Sequence, residues 1–234
     1  MKIGIMQPYI FPYIGYWQLI NAVDKFIVYD NIKLSKGGWI NRNRILLNGR
    51  DIMISVPIKS ESDFLDIYQR RLADSYLKSR EKIKNQLEAA YFNAPNFLSV
   101  IKLIHECLDY PDLNLFNFIL NSINLICKYL YINTEILISS QIPANHYLKS
   151  RNRVIDICTV LGADQYINAI GGMDIYDKND FEIEGIKLNF IRTNSISYFQ
   201  GNENLFIPNL SIIDVMMFNT IPEITKMLDA YELI

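Results

Sequence analysis

Residues 2–30 read KIGIMQPYIFPYIGYWQLINAVDKFIVYD, and the order of apolar runs in this stretch decides the fold. Lys2–Met6 is a short β-type run that stops at Gln7-Pro8. Trp17–Val23 has helical character, and Lys25–Tyr29 is a second β-type run that ends at Asp30. Strand, helix and strand in so short a span predict a βαβ unit with parallel strands. The same alternation continues outward. Further strands are expected over Ile52–Ile58, Thr134–Ile138, Asp164–Asn168 and Gly185–Phe190. Helices are expected over Ser75–Tyr91, Phe97–Asp109, Leu113–Tyr129, Ser150–Leu161 and Ser211–Phe218. Leu77, Ile83, Leu87 and Tyr91 form the apolar side of the first of these helices, and Gly162 is placed to cap the fourth. The expectation is one α/β domain over residues 1–234. It has an open, mainly parallel sheet, flanking helices, and a helical insertion at about residues 70–130.

Composition narrows the functional classes. Of 234 residues, 50% are hydrophobic and 21% charged, enough for a sizeable core. A net charge of −2 argues against a nucleic-acid partner, which calls for a basic excess. Cys107, Cys127 and Cys158 show no metal-ligand spacing and read as reduced core thiols of a cytoplasmic protein. The N-terminal apolar run is too short for a signal peptide. The most apolar stretch, Leu113–Leu130, carries Asn114, Asn117, Asn121, Asn124 and Lys128, so no membrane span is expected. No metal site is expected either.

In open α/β sheets ligands bind beyond the carboxyl ends of the strands. Four polar clusters fall at such ends: Gln7–Tyr16, Asp30–Arg44, Ser139–Arg153 and Asn168–Tyr176. In the first, Pro8 and Pro12 hold the loop extended, and Gly15 allows close approach at a helix start that can face an anion. Gln7, Tyr13, Gly15 and Tyr16 are candidate binding residues there; an aromatic cap that merely packs the loop is the alternative. The second cluster, KLSKGGWINRNR, offers Lys36, Arg42 and Arg44 for phosphate, Trp39 for stacking, and Asn41 and Asn43 for orientation. It also fits a solvated surface loop. Asp30 could position a hydroxyl, an amine or a metal, or could serve as a turn residue. In the third cluster Ser140 is a binding candidate and His146 a candidate general base or a plain surface residue. His105 reads as structural. In the fourth, Gly171, Gly172 and Asp174 fit a close ligand approach or a turn.

Two resemblances follow from these residues. Tyr13-Ile14-Gly15-Tyr16 has the spacing of the His-x-Gly-His element that follows the first strand in the nucleotidyltransferase-like α/β superfamily. Tyrosine replaces both histidines, which supplies a hydrogen-bond donor without a cation. More broadly, IMQPYIFPYIGYWQLINAVDKFIVYDNI with KGGWINRNRILLNG resembles the N-terminal signature of the WbqC-like family. RVIDICTVLGADQYINAIGGMDIY and FIPNLSIIDVMMFN are similar to its C-terminal part. The resemblance implies a place in bacterial O-antigen or other surface-polysaccharide biosynthesis, and an acyl or glycine transfer to an amino sugar. Joined to the clusters, this predicts an enzyme that N-acylates the amine of a nucleotide-linked amino sugar, with dTDP as a candidate nucleotide. ATP or an acyl thioester, as acyl-CoA or acyl-carrier, would be the donor, with His146 or Asp30 as base. A nucleotide-sugar-dependent glycosyltransferase and a non-catalytic sugar-nucleotide-binding subunit are the alternatives. The first would often need a DxD metal site, which the sequence lacks.

Overall fold

Three strands, β1 (Lys2–Met6), β2 (Lys25–Val28) and β5 (Glu135–Ile138), lie parallel in the order β5-β2-β1. On the other side of β1 come β6 (Gln165–Ala169) and β7 (Lys187–Thr193), also parallel, and then the antiparallel edge strand β8 (Tyr231–Leu233). The computed structural model describes residues 1–35, 37–201 and 206–234. Alternation along the strands sends side chains to two cores. Ile3, Ile5 and Ile27 join Tyr166, Leu188 and Phe190 on one face, against Val154, Ile157 and Cys158 of helix α5 (Ser150–Val160) and Phe181 of α6 (Lys178–Glu182). Phe26, Val28, Ile167 and Ile191 point to the opposite face, covered by α1 (Ile14–Asn21) and the helical insertion. The mainly parallel α/β sheet expected from the sequence is therefore present, and both faces are buried as such sheets require.

The insertion consists of α2 (Tyr76–Tyr91), α3 (Phe97–Leu108) and α4 (Leu115–Tyr129). In α2 the buried positions are Tyr76, Ile83, Leu87 and Tyr91, while Leu77 is exposed. Leu77 thus leaves the expected apolar side, and Tyr76 takes its place by donating its hydroxyl to the Leu108 carbonyl at 2.5 Å. Gly162 follows α5 at φ 69°, the left-handed geometry that ends helices.

One expected strand is corrected. Ile52–Ile58 does not lie in the main sheet. β3 (Arg42–Leu47) and β4 (Arg50–Ser55) form a separate antiparallel hairpin joined at Asn48-Gly49, with φ 51° and 74°. Two positive φ angles suit a two-residue turn whose twist matches its strands, and Asn-Gly is the sequence that adopts it most readily. Arg42 and Arg44 therefore sit on a strand, not in a loop. Two further helices complete the chain, α7 (Ile212–Phe218) and α8 (Ile221–Leu228). α8 was not anticipated, although Thr220 and Glu223 form a capping box around Pro222. No helix among the described residues is long and apolar enough to cross a membrane.

The topology fixes where a ligand can sit. From β1 the chain moves outward to β2 and β5, then returns to the far side of β1 with β6 and β7. Loops after β1 and β6 diverge at that reversal, and the divergence opens a crevice at the carboxyl ends.

Candidate functional site

The loop after β1 is held rigidly. Ile10 and Phe11 are buried, and Phe11 takes a left-handed backbone at φ 44°. Such a conformation in a bulky residue persists only where its surroundings enforce it. The Phe11 carbonyl accepts from Asn43 Nδ2 at 2.7 Å and from Ser211 Oγ at 2.8 Å. Asn43 Nδ2 also reaches the Ile10 carbonyl at 3.1 Å, and Trp17 Nε1 donates to the Pro12 carbonyl at 3.0 Å. The aromatic residues divide accordingly. Phe11, Tyr16 and Trp17 are core, whereas Tyr9 and Tyr13 are half-buried at the crevice.

Tyr13 sits just before α1, and its ring lies across the first turn. A Cβ at Gly15 would fall 2.5–2.6 Å from Cε2, Cζ and Oη of that ring. Glycine at this position is what lets the ring occupy the space. Tyr16 instead turns inward and donates its hydroxyl to the Gln7 carbonyl at 3.0 Å. Its place as a cleft tyrosine is taken by Tyr9, whose ring is 5.8 Å from that of Tyr16.

A cleft of about 480 Å³ opens at the topological reversal. Tyr9, Pro12 and Tyr13 line it from the β1 loop; Trp39, Asn43 and Arg44 from the approach to β3 and its first residues. Ile170 follows β6, Arg192 and Thr193 end β7, and Asn209 precedes α7. Burial raises the Tyr9 and Tyr13 phenols above 10.0, Tyr9 further through its neighbour Tyr13. Both are therefore neutral donors at physiological pH, and neither hydroxyl has a partner among the described residues. Arg44 pairs with Asp51 at 3.0 Å and donates to the Pro208 and Asn209 carbonyls at 3.3 and 3.4 Å. Arg192 reaches Glu232 Oε1 from Nε at 2.6 Å and from Nη2 at 2.5 Å. Two guanidinium groups thus stand in the walls of an aromatic cleft whose lining has no carboxylate among the described residues.

Among the sequence candidates, the structure brings Tyr13, Trp39, Asn43 and Arg44 together in this cleft. Gly15 supports Tyr13 from beneath. Arg42 donates from Nε to the Gly38 carbonyl at 3.0 Å and from Nη2 to Gly37, with its guanidinium 5.7 Å from the Trp39 ring, so it shapes the loop. Asn41 Nδ2 donates to the Val56 carbonyl at 2.8 Å and closes the hairpin. Gln7 is half-buried at the end of β1, outside the cleft lining. Gly171 faces open space and Asp174 is exposed. Gly172 packs so closely on Asn168 that a Cβ would meet Nδ2 at 2.4 Å. Lys36 lies outside the described residues.

Asp30 and His146 belong to a different group, beyond β2 and β5. Asp30 is 1% exposed, and Ser140 donates to it from its amide at 2.9 Å and from Oγ at 2.6 Å. The His146 nitrogens are 2.9 Å from Asn31 Nδ2 and from the Ile142 carbonyl. An amide nitrogen facing Nδ1 assigns the proton to Nε2 in the neutral ring. Arg153 ties this group together by donating to the carbonyls of Asn31, His146 and Leu148 at 2.6–2.8 Å. These residues fasten the loops after β2 and β5 to each other; the cleft lining contains neither Asp30 nor His146.

Tyr9, Arg192 and Asn209 escaped the sequence reading. Tyr9 was visible as the first aromatic of QPYIFPY. Arg192-Thr193 was hidden because the last parallel strand runs three residues beyond its expected end, Phe190. Asn209 carries φ 57°, which no local pattern announces. Among the described residues no group of His, Cys, Asp and Glu is placed to hold a metal ion.

Comparison with known proteins adds two findings. An uncharacterised Mycobacterium tuberculosis protein, Rv1507c, is 26% identical over 224 residues, covering 93% of each chain. No solved structure matches the chain. A model of the WbqC-like protein family matches residues 7–226, from the loop after β1 to the last helix, and the chain belongs to that family.

Proposed function

We propose that the protein binds a nucleotide-linked amino sugar in this cleft and transfers an acyl group to its amine. The observation that carries the reading is the composition of the walls. Three aromatic side chains, Tyr9, Tyr13 and Trp39, stand with Arg44 and Arg192 at the reversal point of a parallel sheet. Trp39, 45% exposed, offers a face for a base. The guanidinium groups suit a diphosphate.

The chemistry follows from the same walls. An attacking amine must be uncharged. Among the described residues the lining offers no carboxylate to hold the ammonium form, and Asp51 and Glu232 are already paired with Arg44 and Arg192, so no ion pair fixes the amine in its charged form. Its nitrogen adds to the acyl carbonyl, the bond to the thiolate or phosphate leaving group breaks, and that group carries the proton away. The oxyanion formed in between is served by the neutral hydroxyls of Tyr9 and Tyr13, which have no partner among the described residues. In this reading Asp30, Ser140 and His146 brace the neighbouring loops.

Purified protein given dTDP-amino-sugars with ATP plus glycine, acyl-CoA or acyl-carrier donors should yield an N-acylated sugar by mass spectrometry. Tyr9→Phe with Tyr13→Phe should slow the reaction, whereas Tyr16→Phe should not. No product with any donor would remove the transferase reading. The second reading is a non-catalytic sugar-nucleotide-binding subunit, favoured by one observation: among the described residues the lining holds no histidine, carboxylate or thiol. Nucleotide-sugar binding without product would select it.

A further inference from the structure

Thr193 and Asn209 form one side of the cleft. Both residues also line a second cavity of about 380 Å³ beside the start of α1. The two spaces share a wall but differ in chemistry. The first is aromatic and cationic; the second has no charged residue in its lining among the described residues. Its polar groups are Asn194, Ser195 and Ser197 with the two shared residues, and Tyr198, whose hydroxyl donates to Asp214 Oδ2 at 2.6 Å. Asn194, Ser195, Ser197 and Asn209 are exposed, and their side chains have no hydrogen-bond partner among the described residues. Thr193 Oγ1, by contrast, donates to Gln18 Oε1 at 2.7 Å, and the Gln18 amide is anchored on the Met227 and Ala230 carbonyls at 2.7 and 3.0 Å. Thr193 and Tyr198 are therefore fixed, and the side chains of Asn194, Ser195, Ser197 and Asn209 have no partner among the described residues.

Asn209 stands at the junction. Its φ of 57° is a conformation that costs an ordinary residue energy and that asparagine tolerates better than most. Its carbonyl accepts from Arg44 at 3.4 Å, which links the junction to the cationic compartment. The backbone is thus held in an uncommon state where it presents an amide between two cavities.

We infer that this second cavity is the seat of a neutral, polyhydroxylated ring, the glycosyl part of a ligand whose anionic part occupies the first. Hydroxyls both donate and accept, and Asn and Ser side chains answer both roles, whereas a charged group would find no countercharge there. The inference rests on the nucleotide-sugar reading for the identity of the joined anion. It adds that the sugar turns toward Asn194–Ser197 and the base toward Trp39.

Isothermal titration of the full chain with dTDP and with dTDP-glucose tests this. Asn209→Gly keeps the left-handed backbone and deletes only the amide; Asn194→Ala with Ser197→Ala is the companion variant. Each lost hydrogen bond should weaken dTDP-glucose binding about 3- to 10-fold; in Asn194→Ala with Ser197→Ala, whose residues lie outside the first cleft, dTDP affinity should change less than about 2-fold. Equal loss for both ligands in that double variant, or no loss of dTDP-glucose affinity in either variant, would overturn the assignment. If dTDP and dTDP-glucose fail to bind the native protein, the proposed function falls. The cavity is then read by the backbone amide resonances of Asn194, Ser195, Ser197 and Asn209 in free monosaccharide at millimolar concentration. Shifts confined to those amides would sustain the sugar site, and their absence would end it.

Discussion

Replacing Gly15 by alanine isolates the physical reason for glycine at the head of α1. The added methyl carbon would lie 2.5–2.6 Å from three atoms of the Tyr13 ring. Carbon atoms rest at about 3.5–4.0 Å, so the ring must retreat by about 1 Å. Helix propensity acts in the opposite direction and favours alanine over glycine by about 1 kcal/mol at most. Two opposed effects of similar size make the single variant ambiguous, and a double-mutant cycle separates them. In a Tyr13→Ala background the obstacle is gone, and Gly15→Ala should stabilise by about 0.5–1 kcal/mol. With Tyr13 present it should destabilise by about 1 kcal/mol, giving a coupling of about 1.5–2 kcal/mol, within the range for residues in contact. Urea unfolding of the four proteins measures the cycle. A coupling indistinguishable from zero would refute the packing argument, whatever the function proves to be. Gly15→Ala should also weaken ligand binding, because the ring can retreat only by leaving its place in the cleft wall.

Other expectations follow from the hydrogen bonds and buried groups. Asn43→Ala strips two donors from the Ile10 and Phe11 carbonyls and should lower stability by about 2–3 kcal/mol, read by thermal unfolding. Unchanged stability would mean the left-handed Phe11 is held by something else. Asp214 is buried and accepts from Tyr91, Tyr198 and Gln200 at 2.6–3.0 Å, yet burial lifts its carboxyl above the ordinary 3.8. The folded protein then keeps this proton to higher pH than the unfolded chain. Its contribution to stability therefore falls as pH rises from 3.8 through the folded value. Asp214→Asn should flatten that part of the profile; the same slope in the variant would count against it. All three cysteines are buried, with Cys127 and Cys158 pushed up to about 12. A thiol reagent should label none of them in the native protein and all three after denaturation. Rapid native labelling would contradict this burial.

Much of the architecture could be read locally, because a parallel strand buried on both faces leaves a continuous apolar run and a helix leaves a 3.6-residue period. IGIM and KFIV are such runs, EILI is a half-buried edge strand with the same apolar character, and the structure pairs all three. The hairpin was missed although NG stood between ILL and DIMI, since its first strand opens with the charged RNR and reads as loop. The site was less legible. Tyr13, Trp39, Asn43 and Arg44 stood out by residue type, yet Arg42 and Asn41, alike in kind and adjacent in sequence, point to backbone carbonyls instead. Strand alternation does not separate them, since Arg42 and Arg44 are two apart on β3; the carbonyls of Gly37 and Gly38 claim Arg42, while Asp51 and the Pro208 and Asn209 carbonyls hold Arg44 at the cleft.

The sequence alone determined the alternation of strands and helices and the aromatic, proline-braced junction after the first strand, because those follow from side-chain period and local backbone restriction. It could not determine which side of that strand the later ones would join. β6 pairs with β1 across more than a hundred and fifty residues, Lys2 opposite Gln165, and this pairing opens the cleft. Tertiary structure decided that Tyr9 and Arg192 share a wall, that Tyr16 turns inward, and that Asp30 and His146 fasten a neighbouring pair of loops. Such outcomes depend on which distant chain segment fills the space beside a residue, and no local pattern of residues carries that information.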